Sequence, residues 1–184
     1  MKKLIIPLIS FLMLCGCLNN HHELRVDGHE FKYYYYGKVV KVVDGDTVYV
    51  DVNGELWKIR LLGVDTPEIH KKNNPYEYYL LNGTPITNTT YLKLWGYKAK
   101  HFAERELLNK EVIIVFDKNL QKDRYGRYLA YIYLNESGHL VNFNELLLKE
   151  GYARVYISDF SLKNEFLKIE REAKERRVGL WGYN

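Results

Sequence analysis

The chain has 184 residues, of which 47% are hydrophobic, 27% charged and 15% aromatic, with 17 tyrosines supplying most of the aromatic share. That balance excludes a disordered or fibrous chain, because both lack the apolar material for a core, and the length suits one domain with appendages. A formal charge of +4 permits an anionic partner without demanding one.

At the N-terminus, Lys2 and Lys3 precede an apolar run from Leu4 to Leu14. The run is too short to span a membrane, which takes about 20 residues. A basic start, a short apolar stretch and small residues after it read as an export signal over 1–16. Leu14-Cys15-Gly16-Cys17 resembles the lipobox of prokaryotic lipoprotein signals, with lipid carried on Cys17. Cleavage there removes Lys2 and Lys3 but no acid, so the charge of +4 falls to +2. It also leaves one cysteine, so no disulfide within the chain is expected. The expected location is outside the cytoplasm, on the outer face of the cell membrane, or secreted if the lipobox is not used. Residues 17–35 read as a polar tether and 36–182 as the folded domain, with Tyr33–Tyr36 at its start.

Gly37 to Val43 is rich in β-branched residues and predicts a strand. Asp44-Gly45-Asp46 is turn chemistry, with Gly45 tolerating positive φ. Thr47 to Val52 alternates, as does Glu55 to Leu62, and Asn53-Gly54 between them is a hairpin signal. Residues 70–92 break the pattern as a long loop with Lys71, Lys72 and several tyrosines. Two readings stand for it: an ordered insertion packing its own tyrosines, or a surface that follows a nucleic-acid strand. Trp95 to Asn109 predicts a helix with Trp95, Ala99, Phe102, Ala103 and Leu107 on its apolar stripe. Glu111–Phe116 and Arg127–Leu134 predict two more strands. Val141–Glu150 predicts a helix ending at Gly151, and a last helix is capped by Ser161. Gly179-Leu180-Trp181 tucks an aromatic against the body. The expected fold is α+β, mainly β: a five-stranded Greek-key barrel of the oligonucleotide-binding type with about three helices.

The chemistry-bearing groups fall at element ends. Asp44, Asp46 and Asp65 can offer oxygens to a hard cation such as calcium, although the spacing is not that of an EF-hand loop. Arg60 and Arg127 carry permanent forks that match phosphate oxygens. A carboxylate outside the metal shell, Glu68, can orient or deprotonate a water.

In order, Val43-Asp44-Gly45-Asp46-Thr47-Val48, Arg60 to Glu68 (RLLGVDTPE), Asp123 to Tyr131 (DRYGRYLAY), Gly151 to Val155 (GYARV) and Gly179-Leu180-Trp181 resemble the staphylococcal-type thermonuclease family. The resemblance covers roughly residues 36 to 182. It implies calcium-dependent hydrolysis of DNA or RNA phosphodiesters to 3′-phosphate products. By that resemblance Asp46 and Asp65 hold calcium through carboxylates and Thr66 through its carbonyl. Arg60 and Arg127 grip the scissile phosphate, Glu68 acts on the attacking water, and Tyr125, Tyr156 and Arg124 border the substrate. The partners implied are the nucleic acid and, through Cys17, a membrane; no protein partner is implied and a monomer is expected. The alternative is a non-catalytic nucleic-acid-binding barrel tethered to the envelope, which the presence of Glu68 and both arginines opposes.

Overall fold

The computed structural model describes residues 23–26 and 28–184. The export signal and Cys17 lie outside the described residues. In chain order the elements are strands β1 (Leu24–Val26), β2 (His29–Phe31), β3 (Tyr33–Asp44), β4 (Thr47–Val52), β5 (Glu55–Leu61) and β6 (Val64–Asp65), then helix α1 (Thr89–Leu107). After these come β7 (Glu111–Phe116), β8 (Tyr128–Glu136), β9 (His139–Asn142), α2 (Phe143–Lys149), β10 (Arg154–Val155), α3 (Lys163–Glu175) and a 3-10 turn at Gly179–Gly182.

Five strands close on themselves in the order β5-β4-β3-β7-β8, and a parallel β5–β8 pairing joins the two ends. The result is the expected mainly-β barrel with three helices. Alternation does most of this work. Val48, Val50 and Val52 on β4 and Trp57, Ile59 and Leu61 on β5 point inward and are buried, whereas β7 is buried along five consecutive residues. The Asn53-Gly54 turn has both residues at positive φ, as an Asn-Gly hairpin requires.

Several boundaries differ from expectation. The polar tether read over 17–35 gives way from Leu24 onward. There β1 and β2 form a hairpin whose Val26 and Phe31 join the main core. Three apolar side chains, Leu24, Val26 and Phe31, spread over eight residues carry too little periodicity to announce a strand pair. β3 starts at Tyr33 because its tyrosines pair along β7. His139–Asn142 is a strand on β8, so α2 begins two residues later than expected, with Asn142 capping it. Ser161 does not cap α3. Its backbone N–H donates to Asp117, and Leu162 occupies the cap without a side-chain bond.

The 70–92 segment is ordered and packs its own core. Tyr78, Ile86 and Leu92 bury with Ala173, Leu180 and Trp181 of the C-terminal segment. A tight turn, with Gly83 N–H donating to Leu80 and Ile86 N–H to Tyr78, folds the segment back on itself. The aromatic expected to tuck in at the C-terminus does so: Trp181 is buried.

Candidate active site

The site forms at one barrel rim, where the β3–β4 turn meets the end of β5, the short β6 and the start of β8. Gly45 is needed there for closeness rather than for positive φ. A Cβ on it would lie 2.7 Å from both Ala99 Cβ and Thr66 Cγ2. Gly96 plays the same part on α1, where a Cβ would sit 2.4 Å from the Pro67 carbonyl oxygen. These two contacts press the Thr66–Glu68 loop between the turn and the helix.

Asp46 is buried with full hydrogen bonding. Its Oδ2 accepts from the Thr66 N–H at 2.8 Å and the Thr66 hydroxyl at 2.9 Å, and its Oδ1 accepts from the Thr47 hydroxyl at 3.1 Å. Arg60 bridges the acids, with Nη1 2.7 Å from Asp46 Oδ2 and Nη2 2.7 Å from Asp65 Oδ1. Arg154 holds the other side of Asp65, its Nη2 2.8 Å from Oδ2. The antiparallel pairing of β10 on β6 sets Arg154 directly opposite Asp65. The insertion completes this clamp. Glu77 lies 3.8 Å from Arg154 Nη2, and the buried Tyr78 ring lies under its guanidinium.

Charge is densest at the first turn. Burial, and then repulsion from Asp46, push the Asp44 carboxyl up to about 7. Burial and the Asp46 charge also raise Asp65, against the pull of Arg60 and Arg154. Burial works against the Arg60 charge, but Asp46, Asp65 and Asp44 outweigh it and raise its pKa.

Glu68 is set by its backbone. Its N–H donates to Asn73 Oδ1 at 2.8 Å, and Asn73 Nδ2 donates back to the Glu68 carbonyl at 2.9 Å. The Glu68 carboxylate itself makes no ion pair among the described residues. Arg127 is held by Asp123, with Nε and Nη2 each 2.7 Å from Oδ2. Asp123 Oδ1 accepts the Tyr125 and Arg127 N–H groups. Burial opposes its charge, but these donors hold the Asp123 carboxyl below its ordinary range. Tyr125 is exposed, with the Arg124 and Arg127 guanidiniums 4.9 and 5.5 Å from its ring centre.

Every barrel residue expected at the site lines one cavity of about 910 Å³: Asp46, Arg60, Asp65, Thr66, Glu68, Arg124, Tyr125, Arg127 and Tyr156. Sequence reasoning missed the supports. Arg154 and Tyr78 clamp Asp65, Glu77 stands beside Arg154, and Asn73 fixes the Glu68 peptide. Arg154 stood within a recognised motif, but only the β6–β10 pairing shows what it faces. Nothing in the sequence pointed to Asn73.

For a metal, the donors available are hard oxygens: the Asp44, Asp46 and Asp65 carboxylates and the Thr66 carbonyl. Among the described residues no three His, Cys, Asp or Glu side chains form a ready-made nest, and Arg60 stands between Asp46 and Asp65. The donor chemistry, and the charge crowded at Asp44 and Asp46, fit a hard divalent cation.

The chain also has recognisable relatives among known proteins. The family model described as Staphylococcal nuclease homologue matches residues 58–183. An uncharacterised protein of Methanocaldococcus jannaschii is 66% identical, covering 100% of this chain and 95% of its own. The Thermonuclease of Staphylococcus hyicus is 36% identical over 78% of this chain and 74% of its own. Endonuclease YncB of Bacillus subtilis is 30% identical over 98% and 92%.

Proposed function

The chain belongs to the Staphylococcal nuclease homologue family, and from that premise we propose that it is an exported, calcium-dependent nuclease cleaving DNA or RNA to 3′-phosphate ends. The observation carrying this reading is the convergence of Arg60, Arg127 and Glu68 with Asp46, Asp65 and Thr66 on one cavity.

A phosphodiester resists attack because it is anionic. Arg127 meets the phosphate with a fork already aligned by Asp123, so little order is lost on binding. Arg60 is engaged by Asp46 and Asp65 at the same rim, where its guanidinium would meet the phosphate. Calcium held by Asp46, Asp65 and the Thr66 carbonyl would supply charge against the developing oxyanion. Glu68, its peptide locked by Asn73 and its carboxylate unpaired, takes the proton of the attacking water or orients it. Tyr125, with Arg124 beside it, and Tyr156 border the substrate on the same cavity. Export and a lipid on Cys17 belong to this proposal and are supported by the sequence of residues 1–17.

The test is an assay of the folded domain on labelled single-stranded DNA, duplex DNA and RNA, with calcium or with a chelator. Cleavage that needs calcium and leaves 3′-phosphates is expected. No calcium-dependent cleavage of any of the three would overturn the reading.

A further inference from the structure

A second cavity, of about 560 Å³, lies between the start of the insertion and the outer face of α1. His70 and Lys71 line both this cavity and the catalytic one, so the two adjoin. Its wall carries Lys71, Lys72 and Lys93 and contains no carboxylate. None of these three lysines makes an ion pair among the described residues. The contrast with the catalytic rim is sharp, since Arg60, Arg127 and Arg154 there are each matched by an acid.

The helix side adds the apolar part. Lys93, Leu94 and Tyr97 follow helical spacing on the face of α1 opposite its buried stripe of Leu92, Gly96, Ala99 and Ala103. Leu94 and Tyr97 are 51% and 45% exposed. Such a pair gains nothing from water. It is placed where a flat apolar ligand could cover it while the lysines meet the ligand's charge. Ammonium groups around an exposed aromatic are the arrangement that holds an unpaired strand: phosphates on the lysines, a base on the ring. A duplex keeps its base faces stacked inside and offers none to Tyr97.

We propose that this cavity is a strand-binding subsite taking the backbone and one base of a single-stranded polynucleotide next to the scissile position. It rests on the nuclease reading above, and predicts a preference for longer unpaired substrates. The preference resides in KM, because these residues touch no reacting atom.

The test compares the full folded protein with Lys72→Ala/Lys93→Ala and with Tyr97→Ala. The substrates are a dinucleotide-length phosphodiester, too short to leave the catalytic cavity, and a single-stranded DNA of about 20 nucleotides, beyond the roughly 4–16 that one barrel of this type spans. With calcium, KM for the long strand rises by about fivefold or more in each variant at unchanged kcat, as loss of phosphate or stacking contacts requires. The short substrate is unaffected. The salt dependence of long-strand binding, measured by fluorescence anisotropy in chelator, falls in the double lysine variant by about 1.4 in log–log slope, for two single-strand phosphate contacts. Equal losses on both substrates, or no loss on either, overturn the subsite and leave the nuclease reading intact. So does unchanged DNA binding with lost binding to anionic phospholipid vesicles, which makes the face a membrane contact. If the wild type cleaves nothing, the nuclease reading fails, and the anisotropy in chelator still decides the subsite.

Discussion

Among single residues, Glu68 and Arg127 differ from the rest of the rim in what their loss would do. Neither is needed to close the barrel: among the described residues Glu68 makes no ion pair, and Arg127 pairs with its local Asp123. Glu68→Gln and Arg127→Ala should each cost at least about a hundredfold in turnover, the scale of losing one charge-stabilising or proton-transferring group. Circular dichroism should show the barrel retained. Turnover within a few fold of wild type would remove them from the mechanism. Asp44 gives a pH signature instead. Unfolded, it releases its proton near the ordinary value of 3.8; folded, near 7. Between those values the folded state holds the extra proton, so in chelator the stability falls as pH rises through that window and levels above it. Asp44→Asn should flatten that slope in urea unfolding from pH 4.5 to 7.5. An identical slope in the variant would mean that Asp44 is not the group responsible. The candidate site residues could be named from the sequence because they are chemically distinctive groups standing in short motifs. Their supports were not. Arg154 meets Asp65 through strand pairing, and Asn73 meets Glu68 through a loop geometry that no residue type announces.

The elements followed their periodicity where burial is one-sided. β4 and β5 alternate and were read to within a residue. β9, β6 and β10 are too short to show a period, and exist because a neighbour offers a free edge. α1 was read six residues short at its start. Its first turns carry Thr89, Thr90 and Tyr91, poor helix formers, and are held by Asn88 capping the Tyr91 N–H and by Leu92 burying against the insertion. The close approach of α1 to the Thr66–Glu68 loop makes Gly96 a sensitive position. Gly96→Ala puts a methyl 2.4 Å from a backbone oxygen, where neither side can yield by a rotamer change. A loss of about 1–3 kcal/mol is expected, as for overpacked cores, despite the better helix propensity of alanine. A neutral or stabilising outcome in thermal unfolding would mean that the helix and loop separate readily. Activity should fall as well, since the displaced loop carries Thr66 and Glu68.

For the whole molecule, the opposed charges are sorted by place rather than by number. The formal charge is only +4, and would be +2 without Lys2 and Lys3. The catalytic cavity holds acids and arginines together, and the adjoining one holds cations alone. No helix among the described residues is long and apolar enough to cross a membrane. The attachment proposed above is a lipid on Cys17. Cys17→Ala should therefore shift the protein from the membrane fraction to the soluble one, and equal partition of the two forms would exclude lipid there. By itself the amino-acid sequence indicated the individual strands, the class of barrel they form and the chemical groups at element ends, because alternation, turn chemistry and motif spacing are local properties of the chain. Only the tertiary structure decided that 70–92 folds as a second core, that Arg154 and Tyr78 clamp Asp65, and that a basic cavity adjoins the candidate site. Those depend on contacts between segments far apart in sequence, and no local pattern encodes which buried surface a loop will find.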